Sequence, residues 1–569
     1  MELCNQSDFE ERNHQFILQE ITIRMKNYFF ASIIVALLSL PSFAQQTISE
    51  TDKLSSLGKM YGFLKYYHPQ VSSGSYNWDQ EFFEIFPQVI KASDKPALST
   101  VYLNWIESLG EVNECKRCDS EEDYFDKNFD LSWTQDTTLF TKHLTSKLKY
   151  IEDNRNLKEN YYVSSEYLGQ IKIINEPIYE GFEYPNEEFR LLGLFKYWNI
   201  IEYFFPYKYL TDQDWDSVLH DMIPKFKNAK NKSEYQNSIK ELVAKLDDSH
   251  ASINFNEQPK KFLPVMVSHI DGRAVISDFY SDSIAALNNL KLGDVILKVN
   301  GLDIEKETEK KLKYIAGSHQ RYKMNRAYSL IAHGEENEVE LTIQRDGEEL
   351  QINAKRYDFS DFNYLNYLRQ IKSKSISQDI GYINMAARFT FKEFDDIFKL
   401  FEDKAYIIVD LRAYPQNKYR MFTRYFNSER RVFAKKYTPD LSYPGKFVYK
   451  NNIKTNSSRK AFKGKFILLV NENSLSRAEF TAMAFQTADD VITIGNQTAA
   501  ADGEVVVFDY LGGYKTTMTG NGVLYPDGTE TQRKGVRIDI EVNPTIKGLR
   551  QGRDEVIEKA IEVANAKKE

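Results

Sequence analysis

Residues 466–487 read FILLVNENSLSRAEFTAMAFQT. The apolar run FILLVNE (466–472) predicts a buried strand, and RAEFTAMAFQT (477–487) predicts a helix. Ser476 stands at the turn between them. That position exposes a hydroxyl at a helix N-terminus, where free N–H groups and the helix dipole favour a developing oxyanion. Glu479 follows three residues later, which is the capping-box spacing, so local sequence also fits a plain N-cap serine. Outward from this turn, IGYINM (380–385), AYIIVDLR (405–412) and VITIG (491–495) read as further strands. KEFDDIFKLFED and RDEVIEKAIEVANA (553–566) read as helices. Continuous apolar strands between helices predict an α/β layer with a mostly parallel sheet over residues 358–569. Residues 425–460 look like an insertion rich in Arg, Lys, Tyr and Ser, with no role legible in the sequence.

Upstream, residues 258–357 alternate short strands with turns. The landmark is NNLKLGDVILKVNGLDI (288–304), where Gly293-Asp294 and Asn300-Gly301 flank an apolar strand. The L-x-x-GD-x-I-x-x-VNG pattern resembles a PDZ domain. The resemblance implies a module that adds an extended peptide to a sheet edge and seats its C-terminal carboxylate on backbone N–H groups. The carboxylate loop would lie at Phe262, Leu263, Pro264 and Val265. The bland alternative is a PDZ-like spacer.

Before this module the chain repeats itself. Lys59, Tyr66, Pro69, Trp78, Asp79, Pro87, Ala92 and Leu109 map at a constant offset of 137 onto Lys196, Tyr203, Pro206, Trp215, Asp216, Pro224, Ala229 and Leu246. Eight ungapped identities make chance a poor explanation, and apolar 3.6-periodicity makes both copies helical. The expected units are 45–115 and 186–257, joined by 116–185. Only the second copy ends in KLDDSHASINF (245–255), so Ser249 and His250 have no counterpart in the first. Two other Ser-His pairs occur, at 268–269 and 318–319. His269 lies in a strand-like run and His319 in a polar helical stretch, both read as structural or solvated. His250 closes a helix and begins a strand, where side chains project into clefts.

Composition bounds the function. The chain has 569 residues, enough for roughly three to five domains. Hydrophobic residues at 42% and charged residues at 27% exclude bulk disorder. A net charge of −8, with no basic stripe interleaved with aromatics, argues against a nucleic-acid partner. Residues 28–40, YFFASIIVALLSL, follow Met25-Lys26 and precede Ser42-Phe43-Ala44. This reads as a secretory signal peptide ending at residue 44, with Met25 the true start; an uncleaved anchor is the alternative. The expectation is an exported protein, periplasmic or extracellular, with no stable membrane span. Three cysteines exclude a disulfide scaffold. Cys115 and Cys118 stay open between a local disulfide, free thiols, half a metal site and redox chemistry.

Four segments in order, NENSLSRAEFTAMAFQ, VITIGNQTAAADGEV, YPDGTETQRKGVRIDIEVNPT and RDEVIEKAI, resemble the S41 peptidases. These are the tail-specific, or C-terminal processing, serine proteases and their tricorn-like relatives. The resemblance implies a multidomain α+β chain: a duplicated helical N-terminal region, a PDZ-like β domain and a C-terminal α/β catalytic domain of ClpP/crotonase type. It implies a serine endopeptidase with no cofactor or metal, acting on protein or peptide substrates through their free C-termini. In S-x-S-x-x-E the second serine, here Ser476, is the family nucleophile. Ala501 falls where the Ser-Lys branch has its lysine, so the tricorn-like Ser-His arrangement is the one implied. His250 is then the general base, with Ser249 and Gln532 or Glu530 orienting its ring. The backbone N–H of Arg477 and one from the loop after residues 410–412 would form the oxyanion hole. Three departures stand out: Ala501, Ala500 where related sequences favour Gly, and Pro415, which has no N–H to give. They motivate the alternative of an inactive peptide-binding protein on this scaffold. A carrier of small apolar ligands is the third possibility.

Overall fold

The computed structural model describes residue 25 and residues 47–118, 122–166, 169–255, 260–364, 371–458 and 461–566. Met25 apart, the expected leader at 1–44 lies outside the described residues. Among the described residues no helix is long and apolar enough to cross a membrane.

The first repeat forms α1 (Glu50–Tyr67), α2 (Trp78–Lys91) and α3 (Lys95–Ser108). The second forms α4 (Glu187–Phe204), α5 (Trp215–Asn228) and α6 (Lys232–Ala244). Each helix starts on a side-chain cap, supplied by Ser49, Asn77, Asp94, Asn186, Asp214 and Asn231. The two copies embrace each other. Lys59 pairs with Asp216 at 2.6 Å, and its counterpart Lys196 pairs with Asp79 at 2.6 Å, so each lysine reaches the other copy's aspartate. Trp78 Nε1 donates to Tyr61 O at 3.0 Å and Trp215 Nε1 to Trp198 O at 3.1 Å, again equivalent positions. The rings of Tyr66 and Tyr203 meet at 5.2 Å. A Cβ at Gly62 would overlap the Asn199 amide, so only glycine lets α1 and α4 approach this closely. The duplicated sequence is thus an internal pseudo-dimer. In the connecting region, Cys115 and Cys118 form a disulfide, one of the states the sequence left open.

After α6 comes β1 (Ser252–Asn254), then the PDZ-like sheet: β2 (Val265–Ile270), β3 (Arg273–Phe279), β4 (Val295–Val299), helix α7 (Gln320–Ala332), β5 (Glu338–Arg345) and β6 (Glu348–Lys355). Strand order is β6-β5-β4-β3-β2, antiparallel throughout. The Asn300-Gly301 turn signal is a tight reversal with both residues at positive φ, 50° and 75°. Strand β2 lies at the sheet edge.

The C-terminal domain contains β7 (Ser373–Ser375), β8 (Ile380–Asn384), α8 (Phe391–Leu400), β9 (Tyr406–Asp410), β10 (Val432–Pro439), β11 (Lys465–Val470), α9 (Arg477–Phe485), β12 (Val491–Gly495), β13 (Val505–Tyr510), β14 (Tyr514–Thr519), β15 (Ile540–Glu541) and α10 (Glu555–Ala566). Its main sheet runs β7-β8-β9-β11-β12-β15, parallel except at β7-β8. Alternate strand residues feed two cores, one on each face, which is why these strands read as unbroken apolar runs. The 425–460 insertion gains a structural role. Strand β10 pairs with Phe447–Tyr449, which pairs in turn with Tyr124–Phe125 of the connecting region. Gly445 N donates to Tyr203 O at 3.1 Å, so this segment seals the helical region onto the peptidase layer.

The aspartates of the twin pairs differ in burial, and this gives a test. Lys196 and Asp79 are 9% and 3% exposed, whereas Asp216, the partner of Lys59, is 43% exposed. Lys196→Met should cost about 3–5 kcal/mol, because it strands buried carboxylates. Lys59→Met should cost about 1 kcal/mol or less. Chemical denaturation of the two variants measures the difference, and equal losses would refute this account.

Candidate active site

Ser476 occupies the turn between β11 and α9 with φ 56° and ψ −111°. A non-glycine residue held there is strained, the kind of conformation that sites of chemistry retain. The surrounding motif divides its labour. Ser474 is fully buried; its Oγ accepts from Asn471 N at 3.0 Å and donates to Leu411 O at 2.9 Å, fixing the turn against the end of β9. Glu479 is also fully buried. Its carboxylate accepts from Ser476 N at 3.0 Å, Thr498 Oγ1 at 2.5 Å, Ala500 N at 2.9 Å and Ala501 N at 3.2 Å. Burial pushes this carboxyl up to about 7 while the four donors pull it down. The expected capping bond is therefore one of four: Glu479 ties the serine turn to the 498–501 loop.

That loop carries the departures seen in sequence. Ala500 adopts φ 57°, the positive value its alignment with glycine implied. Ala501, at the place of the lysine, is buried; its carbonyl accepts from Ser476 N at 3.1 Å. On its far side the loop meets the second helical repeat: Ser249 Oγ donates to Ala499 O at 2.7 Å, while Ala499 N donates to Ser474 O at 3.0 Å. The Ser476 turn and the Ser249-His250 dipeptide therefore grip one three-residue loop from opposite sides.

His250 reaches this place because β1 adds to β14. Register pairs Ser252 with Thr517 and Asn254 with Lys515. Thr517 Oγ1 donates to His250 O at 2.7 Å. His250 Nδ1 lies 2.9 Å from Thr519 Oγ1. Its Nε2 is buried with no hydrogen-bond partner among the described residues. Burial holds the imidazole below its ordinary value, against the opposing pull of Asp248 and Glu504. A neutral ring with one nitrogen anchored and the other unengaged can accept a proton.

Three expected ring-orienting residues sit elsewhere. Ser249 Oγ is taken by Ala499 O and by Ser318, whose N–H donates to it at 2.9 Å. Gln532 Nε2 donates to Asp248 Oδ1 at 3.1 Å, not to the ring. Glu530 faces the helical region, accepting from Tyr209 OH at 2.7 Å with Lys127 at 3.4 Å. The sequence reading missed Asp248 and Thr519. Asp248 was visible as an acid two residues before His250; Thr519 was not, since only strand register brings it there.

Arg477 opens α9, where a backbone N–H has no acceptor in its own helix. Its guanidinium donates to Pro415 O at 3.2 Å and lies over the Tyr414 ring, so the loop after β9 is held beside the serine turn. Asp410 and Arg412 pair at 2.7 Å, and Arg412 also pairs with Asp554 at 2.9 Å, which joins the DLR and RDE motifs.

At the PDZ-like module, Leu263 and Val265 are buried in the core. Phe262 N donates to Tyr357 O at 2.8 Å, and Pro264 has no N–H. Two of the four expected carboxylate donors are thus excluded. At the edge of the sheet, the outward N–H of His269 in β2 is taken by Asn325 Oδ1 of α7 at 2.7 Å. Helix α7 also touches the serine side: Asn325 Nδ2 lies 3.4 Å from Glu472, and His319, its N-cap, contacts Thr498 O at 2.8 Å. His319 is therefore a structural link between domains.

Residues 379–542 match the model of peptidase family S41, and residues 259–360 match a PDZ domain. The chain carries a domain of peptidase family S41. It is a serine-type peptidase, with a PDZ domain before the catalytic domain. Among solved structures, mature CPAF complexed with lactacystin is 15% identical, covering 66% of this chain and 97% of that one at a TM-score of 0.51. Mature CPAF alone is 15% identical, covering 65% and 96% at 0.50. The photosystem II D1 C-terminal processing protease is 15% identical, covering 64% and 98% at 0.39. No curated protein matches the chain.

The hub role of Glu479 is testable. Glu479→Gln replaces one acceptor oxygen by an NH₂ facing N–H donors. It should destabilise the fold by about 1–3 kcal/mol, read as a lowered thermal midpoint. Wild-type stability in this variant would show that the four hydrogen bonds are dispensable.

Proposed function

We propose that this peptidase is a secreted endopeptidase cleaving unstructured or C-terminally presented protein chains through an acyl-enzyme, with Ser476 as nucleophile and His250 as general base. The observation that carries this is the shared loop: Ala499 and Ala501 are hydrogen-bonded to the Ser476 turn, and Ala499 also to Ser249 beside a histidine whose Nε2 is unengaged. Ser476 Oγ attacks the scissile carbonyl as His250 Nε2 takes its proton. The imidazolium then holds two N–H groups, and Thr519 Oγ1 accepts the one on Nδ1. The tetrahedral oxyanion is met by the N–H of Arg477, reinforced by the positive end of α9, and by an N–H of the neighbouring loop after β9. The imidazolium returns its proton to the leaving amine, and water repeats the sequence on the acyl-enzyme. Export is supported by the leader-like residues 28–40 and by the Cys115–Cys118 disulfide, which suits an oxidising compartment. Presentation of chain ends is supported by the place of β2 at the sheet edge in the PDZ domain.

A fluorophosphonate probe tests the chemistry. Wild-type protein should label at Ser476, and Ser476→Ala should lose labelling and about 10⁶ in kcat. His250→Ala should cost nearly as much, because nucleophile and base act as a unit. The labelling rate should fall as pH drops through a midpoint below about 6.5, since burial lowers the His250 midpoint. Wild-type protein that never labels would favour the inactive peptide-binding scaffold.

A further inference from the structure

We propose that Asp248 is the anionic positioning residue of this site, acting on the His250 ring through Thr519. The proposal rests on the Ser476–His250 reading above. Asp248 is fully buried and all its hydrogen-bond donors are neutral: His250 N at 3.0 Å, Thr519 N at 2.9 Å and Gln532 Nε2 at 3.1 Å. Its neighbour Asp247 is the opposite case, neutralised by Lys323 at 2.6 Å and Arg533 at 3.6 Å. A buried carboxylate without a cationic partner is costly unless a positive charge forms beside it. The imidazolium of His250 is that charge, and it exists only while the serine's proton is on the ring.

Thr519 joins the two groups. Its N–H holds one oxygen of Asp248, and its hydroxyl meets His250 Nδ1. One residue thus fixes both the carboxylate and the ring, and His250 N donates to the other carboxylate oxygen. The neutral Gln532 follows from this geometry. An acid at 532 would put a second carboxylate about 3 Å from Asp248, whereas the amide donates to it. The remaining charged group facing the ring is Glu504, at the start of β13, which has Lys436 of β10 at 3.8 Å. Glu504 is 45% exposed and so acts through water, leaving Asp248 as the buried source of field.

The experiment is a pH titration of the full chain carrying histidine-selective isotope labels, followed by NMR, beside the pH profile of fluorophosphonate labelling. Asp248→Asn should lower the His250 ring midpoint by about one unit or more, the size expected on removing an adjacent opposite charge. The labelling rate at neutral pH should fall on the order of 10²-fold or more. Thr519→Val should slow labelling with the Asp248 carboxylate still present, and Thr519→Ser should restore the rate. An unmoved His250 midpoint in Asp248→Asn overturns the proposal while leaving the serine peptidase chemistry intact. A wild-type rate in Thr519→Val overturns it equally, including where Asp248→Asn fails to fold. Because the ring titration needs no turnover, it decides the role of Asp248 even in protein that does not label.

Discussion

One buried carboxylate organises this active site. Glu479 gathers four donors from the serine turn and the 498–501 loop, at the junction of β11, α9 and β12. Without an acceptor there, the N–H groups of Ala500 and Ala501 and the Thr498 hydroxyl would be buried unpaired, each at a cost of about 1–3 kcal/mol. With it, the strained backbone of Ser476 and the positive φ of Ala500 are both held in place. Gly535 shows how tightly the loop is enclosed, since a Cβ there would overlap Thr498 Oγ1. The geometry of the serine turn is thus set by a buried carboxylate behind it.

The proposed base, His250, comes from the end of the second helical copy. Exchanged Lys–Asp pairs and edge-to-face aromatic rings lock the two copies into one body. Only the second copy continues into a strand that adds to β14, so only it delivers a histidine. The first copy serves as a fitted partner. The 425–460 insertion closes the seam between this body and the peptidase layer.

Helix α7 gives the PDZ domain a physical stake in the site. Along one helix, His319 contacts the 498–501 loop, Tyr322 OH donates to Ser249 O at 3.3 Å, and Asn325 spans from the edge of β2 to Glu472. The edge of β2 and the 498–501 loop share these side chains. The PDZ domain is therefore packed into the catalytic assembly through hydrogen bonds, rather than hung from it by a linker.

Much of this was legible from residues alone. Apolar runs at strand length, helical periodicity and a serine at the turn give the α/β layer, because burial on two faces leaves a direct mark on composition. The 137-residue offset exposes the duplication, and the absence of Ser249 and His250 from the first copy singles out the second. The imidazole's surroundings were not legible. Ser249, Gln532 and Glu530 occupy the expected stretch of chain, yet their side chains bond to Ser318 and Ala499, to Asp248, and to Tyr209. Thr519 reaches the ring because β1 and β14 pair in one register, and a slip of one residue would turn it to the opposite face. Sequence determined which chemical groups the chain carries and in which elements they lie. Tertiary structure decided which of them touch, because contacts between residues some 270 positions apart are set by strand register and packing, which no local pattern encodes.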